Sequence, residues 1–274
     1  MGWNIGKSGE TGLFVGGENI IRDNLIFYLD PGDYNCIPDG GSLDSTCTEL
    51  ALGDTGNVTS PGNDIGDLWD VGDGAPCLSF TGNSTEYITF PTIDVSEFVT
   101  GNNAILGAIS CGVWFRTGDT SMQNAGPLVS IEAYTFAVFF NDNHPMVYAS
   151  SRDNTNHEYC YESNTATNYM DDNWHFLVGV MNNTLSTLGD TTAGTCALYI
   201  DDMITPKATS TFHSTFEFRT TDANLNIAAL TNNSWYWGGE IGPVMMYSDY
   251  CLSEEERIYN YNVHRHRYYD TAIG

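Results

Sequence analysis

Apolar and polar residues change over along this chain in short runs, most of them closed by Gly, Asn, Asp or Pro. Runs of this kind, rich in Val, Ile, Phe, Tyr and Trp, predict β-strands. The clearest lie at residues 24–30, 109–115, 127–131, 134–140, 174–181, 195–201, 224–229 and 241–247, with weaker ones at 145–148 and 157–161. In 24–30, Leu25, Phe27 and Leu29 interleave with Ile26 and Tyr28, which predicts a strand covered on both faces. Residues 77–80 and 86–90 flank a Thr-Gly-Asn turn and predict a hairpin. Residues 174–181 and 195–201 predict neighbouring strands of a meander, with Asp201 and Asp202 making the next turn. Residues 31–76 are rich in Gly, Asp, Pro, Ser and Thr. They read as a surface loop or insertion that carries recognition, or as a stretch that hides short strands. Helix signals gather late: Ser253 and Glu256 form a capping box, and the neighbouring carboxylates suit a helix N-terminus. Many short strands, regularly spaced, predict a two-sheet sandwich.

The ends differ from the middle. Residues 1–22 are Gly-rich yet carry Trp3, Leu13, Phe14 and Val15. An apolar arm of this kind packs on its own domain or docks on a neighbouring subunit, and both readings stand. The chain therefore divides into an arm (1–22), a β domain (23–262) and a basic-aromatic tail (263–274), in which Arg265 and Arg267 alternate with His264 and His266 beside Tyr268 and Tyr269. That tail reads as a contact segment for an acidic surface or as a solvated end.

Charge changes the picture. Nine Lys plus Arg against 35 Asp plus Glu give a net charge of −26. Such a surface repels polyanions, which excludes nucleic acid as a partner, and scattered acids suit a well-solvated exterior. No apolar run reaches membrane-spanning length, so no membrane insertion is expected. The opening residues lack the basic segment and apolar block of a secretory signal, which gives an expectation of cytosolic synthesis and free, buried thiols for the seven cysteines. Cys36 and Cys47 bracket one loop and could bridge it, and Cys160 and Cys196 could meet across a sheet.

Several segments, in this order, resemble laminin-G-like, concanavalin A-type domains. Residues 78–91, Leu-Ser-Phe-Thr-Gly-Asn-Ser-Thr-Glu-Tyr-Ile-Thr-Phe-Pro, resemble the early hairpin of that family. Residues 109–116, Ile-Ser-Cys-Gly-Val-Trp-Phe-Arg, resemble its next core strand. Asn-Trp-His-Phe-Leu-Val-Gly-Val at 173–180 and Ala-Leu-Tyr-Ile-Asp at 197–201 resemble its "Trp-His … Leu-Tyr-Val-Asp-Gly" meander. Gly-Gly-Glu-Ile-Gly-Pro-Val-Met-Met-Tyr at 238–247, with Leu-Ser-Glu-Glu-Glu at 252–256, resembles its last strand and helix. Residues 16–32 look like the start of such domains in structural proteins of tailed phages, notably cyanophages. Two positions depart from the pattern. Pro243 cannot donate to a ladder, so the last strand is predicted to be bulged or at an edge there, and Asp202 replaces the usual turn Gly.

The resemblance implies an all-β fold, a two-sheet antiparallel jelly-roll sandwich of the concanavalin A-like kind with one short C-terminal helix. It also implies a non-enzymatic virion structural or decoration protein on a capsid or tail surface, made in the host cytoplasm. Its expected partners are other virion proteins, copies of itself and a host-surface glycan. A free extracellular lectin is the alternative, and a glycoside hydrolase on the same fold comes third. Hydrolases of this fold share a Glu-x-Asp-x-x-Glu strand, which this sequence lacks. For glycan contact the candidates are Trp235, Tyr236 and Trp237, which follow Asn232, together with Tyr134 and Tyr148. Strand alternation places Trp235 and Trp237 on one face and Tyr236 on the other, and the resemblance implies that one of the three is packed in the core. No cofactor is required by this reading. The family often holds a rim Ca²⁺ through Asp side chains, and Asp142, Asp201 and Asp202 are the candidate ligands here. His175 is expected to be a hydrogen-bonded core residue.

Overall fold

The apolar runs are strands, and both faces of most of them are put to use. A computed structural model describes residues 20–37, 46–60, 65–71, 75–82, 85–93, 106–118, 126–131, 135–150, 157–164, 167–184, 194–212, 223–230 and 235–269. Trp3, Leu13, Phe14, Val15, Tyr134 and Asn232 lie outside them. In chain order the strands are β1 (Leu25–Leu29), β2 (Thr46–Thr48), β3 (Thr55–Thr59), β4 (Trp69–Asp70), β5 (Cys77–Thr81), β6 (Tyr87–Ile93), β7 (Leu106–Arg116) and β8 (Gly126–Ile131). They continue as β9 (Phe136–Asn141), β10 (His144–Ser150), β11 (His157–Tyr161), β12 (Trp174–Thr184), β13 (Thr195–Ile200), β14 (Ala208–Thr211), β15 (Ala223–Ile227) and β16 (Gly238–Ser248). One helix, α1 (Glu254–Tyr268), follows.

The first sheet runs β4-β5-β16-β7-β12-β13-β14, with β1 also on β16, and the second runs β11-β10-β9-β8-β15-β6-β3-β2. The strand pairings are antiparallel. This is the expected two-sheet sandwich with a C-terminal helix. Between the sheets lie the fully buried rings of Phe27, Phe90, Phe115, Phe140 and Trp237. Phe27 meets Phe90 edge-on at 4.8 Å, and Phe115 meets Phe140 at 5.2 Å, the favourable geometry for ring pairs.

One expected pairing is overturned. β5 and β6 do not form a hairpin: β5 pairs with β4 and β16 in the first sheet, and β6 pairs with β3 and β15 in the second. Phe80 and Phe90 both face the same core, and they reach it from opposite sheets. The chain turns this corner at Gly82, whose φ of +77° suits glycine, and the Glu86 carboxylate accepts the Thr81 N–H at 2.5 Å. Within 31–76, β2, β3 and β4 are the hidden short strands. The buried Glu49 carboxylate holds this region by accepting the N–H groups of Tyr28, Ala51, Leu52 and Asp54 at 2.7–3.1 Å.

β16 is central, and Pro243 acts as predicted. Its register against β7 shifts between Ile241 and Val244. On its other side Gly238 to Ile241 pair with β5, and Val244 to Tyr247 pair with β1. The missing N–H of Pro243 thus falls where the partner changes.

The outer face of the first sheet is apolar too, carrying Trp114, Phe176, Val178, Met245 and Tyr247. α1 covers it. Ser253 caps the helix, with the full capping box to Glu256. Tyr261 and Tyr268 stack on Trp114 at 5.5 and 4.7 Å. Residues 263–268 of the expected tail are therefore the last turns of this helix, and 270–274 lie outside the described residues. Arg267 is not an assembly contact: it is buried and bonds Asp30 at 2.6 Å, just past β1. Burial works against the Asp30 charge, but Arg267 outweighs it, helped by His264 and the Gly32 N–H, and the carboxyl is held below its usual range. Tyr28 Oη lies 2.9 Å from both Asp30 Oδ2 and His264 Nε2. The end of the arm also belongs to the domain: Ile20 is buried, and Ile21 is held by Asn260 and Tyr247.

Two outcomes follow. Arg267→Gln leaves a buried carboxylate unpaired and is expected to cost about 3–5 kcal/mol in urea unfolding. His264 gives a pH signature. Burial pushes its ring down to about 4 from an ordinary 6.5, so between these values the unfolded chain binds a proton that the folded chain refuses. Stability should fall as pH drops through that window, and His264→Gln should flatten the fall.

Candidate functional site

Among the described residues, no helix lies on the outer face of the second sheet at β9, β10 and β11. The β9–β10 hairpin closes through Asp142 and Asn143, both at positive φ (49° and 67°), the pattern of a two-residue type I′ turn. Asp and Asn tolerate this region better than other non-glycine residues. The tight turn sets the register, with Asn141 opposite His144, Phe139 opposite Met146 and Ala137 opposite Tyr148. On β11, Tyr161 sits opposite Met146 and Tyr159 opposite Tyr148. Period-two alternation then sends Val138, Phe140, Val147, Ala149 and Cys160 into the core. It sends the intervening residues outward.

The outward residues form a groove of about 530 Å³, lined by Phe139, Asn141, Asp142, His144, Met146, Tyr148, Tyr159, Tyr161 and Trp235. Tyr159, Tyr161 and Trp235 are 45%, 44% and 37% exposed, so large apolar faces meet water here. Neighbouring rings order them: Tyr159 and Tyr161 lie 6.1 Å apart, and His144 and Tyr161 lie 6.3 Å apart. Tyr148 stacks on His157 and its hydroxyl is 2.6 Å from Nδ1. Asn141, Asp142 and His144 supply polar groups at the hairpin end. The site thus combines ring faces that stack with acceptors and donors that orient.

The sequence candidates separate. Trp235 is in the groove. Trp237 is wholly buried between the sheets, against Phe115 and Phe140, and is a core residue. The expected shared face fails because the chain is crossing from the second sheet to the first. The Trp237 N–H still bonds Ala228 O beside β15, yet the next residue begins β16. Tyr236 is half-buried, 6.1 Å from the Tyr87 ring, and is outside the groove lining. Sequence reasoning passes over Tyr159 and Tyr161, although His-x-Tyr-x-Tyr in 157–161 puts three rings on one strand face.

The candidate cation ligands do not converge. Asp142 lines the groove, whereas Asp201 and Asp202 follow β13 in the first sheet. Asp201 is engaged elsewhere. Its Oδ2 is 2.8 Å from His175 Nδ1, and its Oδ1 accepts from Phe176 N–H at 3.0 Å and Tyr269 O–H at 3.2 Å. Asp171 holds the other ring nitrogen at 3.0 Å. Burial opposes the charged ring, but the two carboxylates prevail and raise the His175 pKa. His175 is the hydrogen-bonded structural residue expected. Asp202 accepts from the N–H groups of Ile204 and Thr205 in a turn, which lowers its carboxyl. Among the described residues no group of three or more His, Cys, Asp or Glu is gathered for a metal ion. Arg265 is exposed, with its guanidinium 5.8 and 5.9 Å from the Tyr261 and Tyr269 rings.

No family model and no curated protein matches the sequence. Solved structures do match in fold. The binding domain of Paraclostridial Mosquitocidal Protein 1 aligns with TM-score 0.59 and 11% identity, over 88% of this chain and 52% of that one. The receptor binding domain of the botulinum neurotoxin C/D mosaic serotype aligns with TM-score 0.57 and 12% identity, over 89% and 51%. The binding domain of botulinum neurotoxin DC, solved in complex with SialylT, aligns with TM-score 0.54 and 13% identity, over 89% and 52%. The chain spans about half the length of these structures, and at such identity the likeness is one of fold.

The two tryptophans should part company on substitution. Trp237→Ala is expected to cost about 3–5 kcal/mol in chemical unfolding, as for large core rings. Trp235→Ala should stay within about 0.5 kcal/mol, as for surface positions.

Proposed function

We propose that this chain is a glycan-binding module without catalytic activity, displayed on a virion surface. The observation that carries the reading is the solvent-facing aromatic groove of β9–β11 and Trp235. A pyranose ring has one apolar C–H face and a rim of hydroxyls. The first stacks on Tyr or Trp, and the second bonds to groups such as Asn141, Asp142 and His144. Among the described lining residues Asp142 is the one carboxylate, and glycoside hydrolysis uses a pair, which favours binding over cleavage.

Two further points support the reading. Sandwiches of the same fold include binding domains of toxins, one of them in complex with SialylT. The virion placement rests on the resemblance of residues 16–32 to the opening of phage structural proteins.

Glycan arrays, run with calcium and with a chelator, test the site. The intact chain should bind a defined set of sugars, and Tyr161→Ala or Trp235→Ala should weaken that binding about tenfold or more while leaving the fold intact. A chain that binds no glycan ends the reading. Removing residues 1–19, which spares the packed Ile20 and Ile21, should abolish attachment to particles and leave sugar binding unchanged. Unchanged attachment would end the virion placement.

A further inference from the structure

Cys160 and Cys196 face each other between the sheets. Cys160 is an inward residue of β11, the edge strand of the second sheet, and Cys196 is an inward residue of β13, one strand from the edge of the first. Their sulfur atoms are 2.8 Å apart, and the residues are 3% and 0% exposed. Two features bring these strands together. Gly179 of β12 has no side chain where a Cβ would lie 2.8 Å from Val147 Cγ2, so the sheets approach closely beside the pair. At the rim Ser210 Oγ of β14 donates to Tyr159 O at 2.6 Å and ties the two sheet edges together.

We propose that Cys160 and Cys196 are a covalent modification site, an intersheet disulfide formed on meeting a small-molecule disulfide such as glutathione disulfide. One cysteine thiolate attacks the oxidant, forms a mixed disulfide and releases one glutathione. The second thiolate attacks the mixed disulfide, forms the Cys160–Cys196 bond and releases the other. Two cysteine thiols lose two protons and two electrons, and one glutathione disulfide becomes two glutathione thiols. Burial holds the Cys196 thiol well above its ordinary range, and the sulfur of Cys160 adds to this. A protonated, enclosed thiol attacks slowly, so the bond forms during folding or when the β11 edge opens. The link joins residues 36 apart in sequence and fixes from behind the strand that presents Tyr159 and Tyr161.

Refolding the reduced chain from denaturant in a glutathione redox buffer gives the oxidant access to every thiol. Remaining thiols are then alkylated, and the protein is digested without reduction and mapped by mass spectrometry. A peptide holding Cys160 joined to one holding Cys196 is the expected result, and in Cys160→Ser the Cys196 thiol should take the alkyl label instead. The proposal is overturned if natively folded wild-type chain from the oxidising buffer carries label on both cysteines, or if either is joined to another partner. The wild-type map decides this whether or not the variant folds.

Discussion

The C-terminal helix and the residue just past the first strand meet in a buried ion pair, Arg267 with Asp30, and much of the architecture depends on it. The first sheet is apolar on both faces. Its inner face packs on the second sheet, and its outer face, with Trp114 and Phe176, needs a cover. α1 supplies the cover through Tyr261 and Tyr268. Stacked rings alone tolerate sliding, whereas a charge pair taken from water tolerates very little. The pair, with Tyr28 and His264 around it, fixes where the helix lies.

The central strand makes that arrangement possible. β16 is bordered by β7 on one side and by β5 then β1 on the other. A regular strand keeps one partner on each side, and the Pro243 bulge lets this one exchange partners midway. Gly242 beside it also leaves room for the helix, since a Cβ there would lie 2.6 Å from Tyr268 Oη. The irregular dipeptide therefore serves both the ladder and the docking of α1.

The groove follows from the same asymmetry. One outer face is covered by the helix, while on the other, at β9–β11, rings remain in water. Their backbone is not loose: a two-residue turn sets the register, and the edge strand β11 is tied across to β14. Paired strands hold the tyrosines at fixed spacing. By contrast, Asp201 and His175 form a conspicuous polar cluster whose atoms are committed to holding β12, β13 and the end of α1 in place.

The sequence by itself determined most strand positions (β2, β3, β4 and β14 excepted), the capped helix, the bulge at Pro243 and the two-sided burial of 24–30. Each is a local property, set by alternation, by capping chemistry or by a missing N–H. Only the tertiary structure decided partners. Period two tells which residues share a face, not which sheet receives it, so 77–80 and 86–90 looked like a hairpin and fell into opposite sheets. The same limit governed the site. Trp235 and Trp237 have matching local signals, and only the crossing between sheets sends one to solvent and the other to the core. Arg267 looked like a surface cation because its partner, Asp30, is far away in the chain. Burial and pairing are set by contacts between distant segments, and a one-dimensional pattern does not carry them.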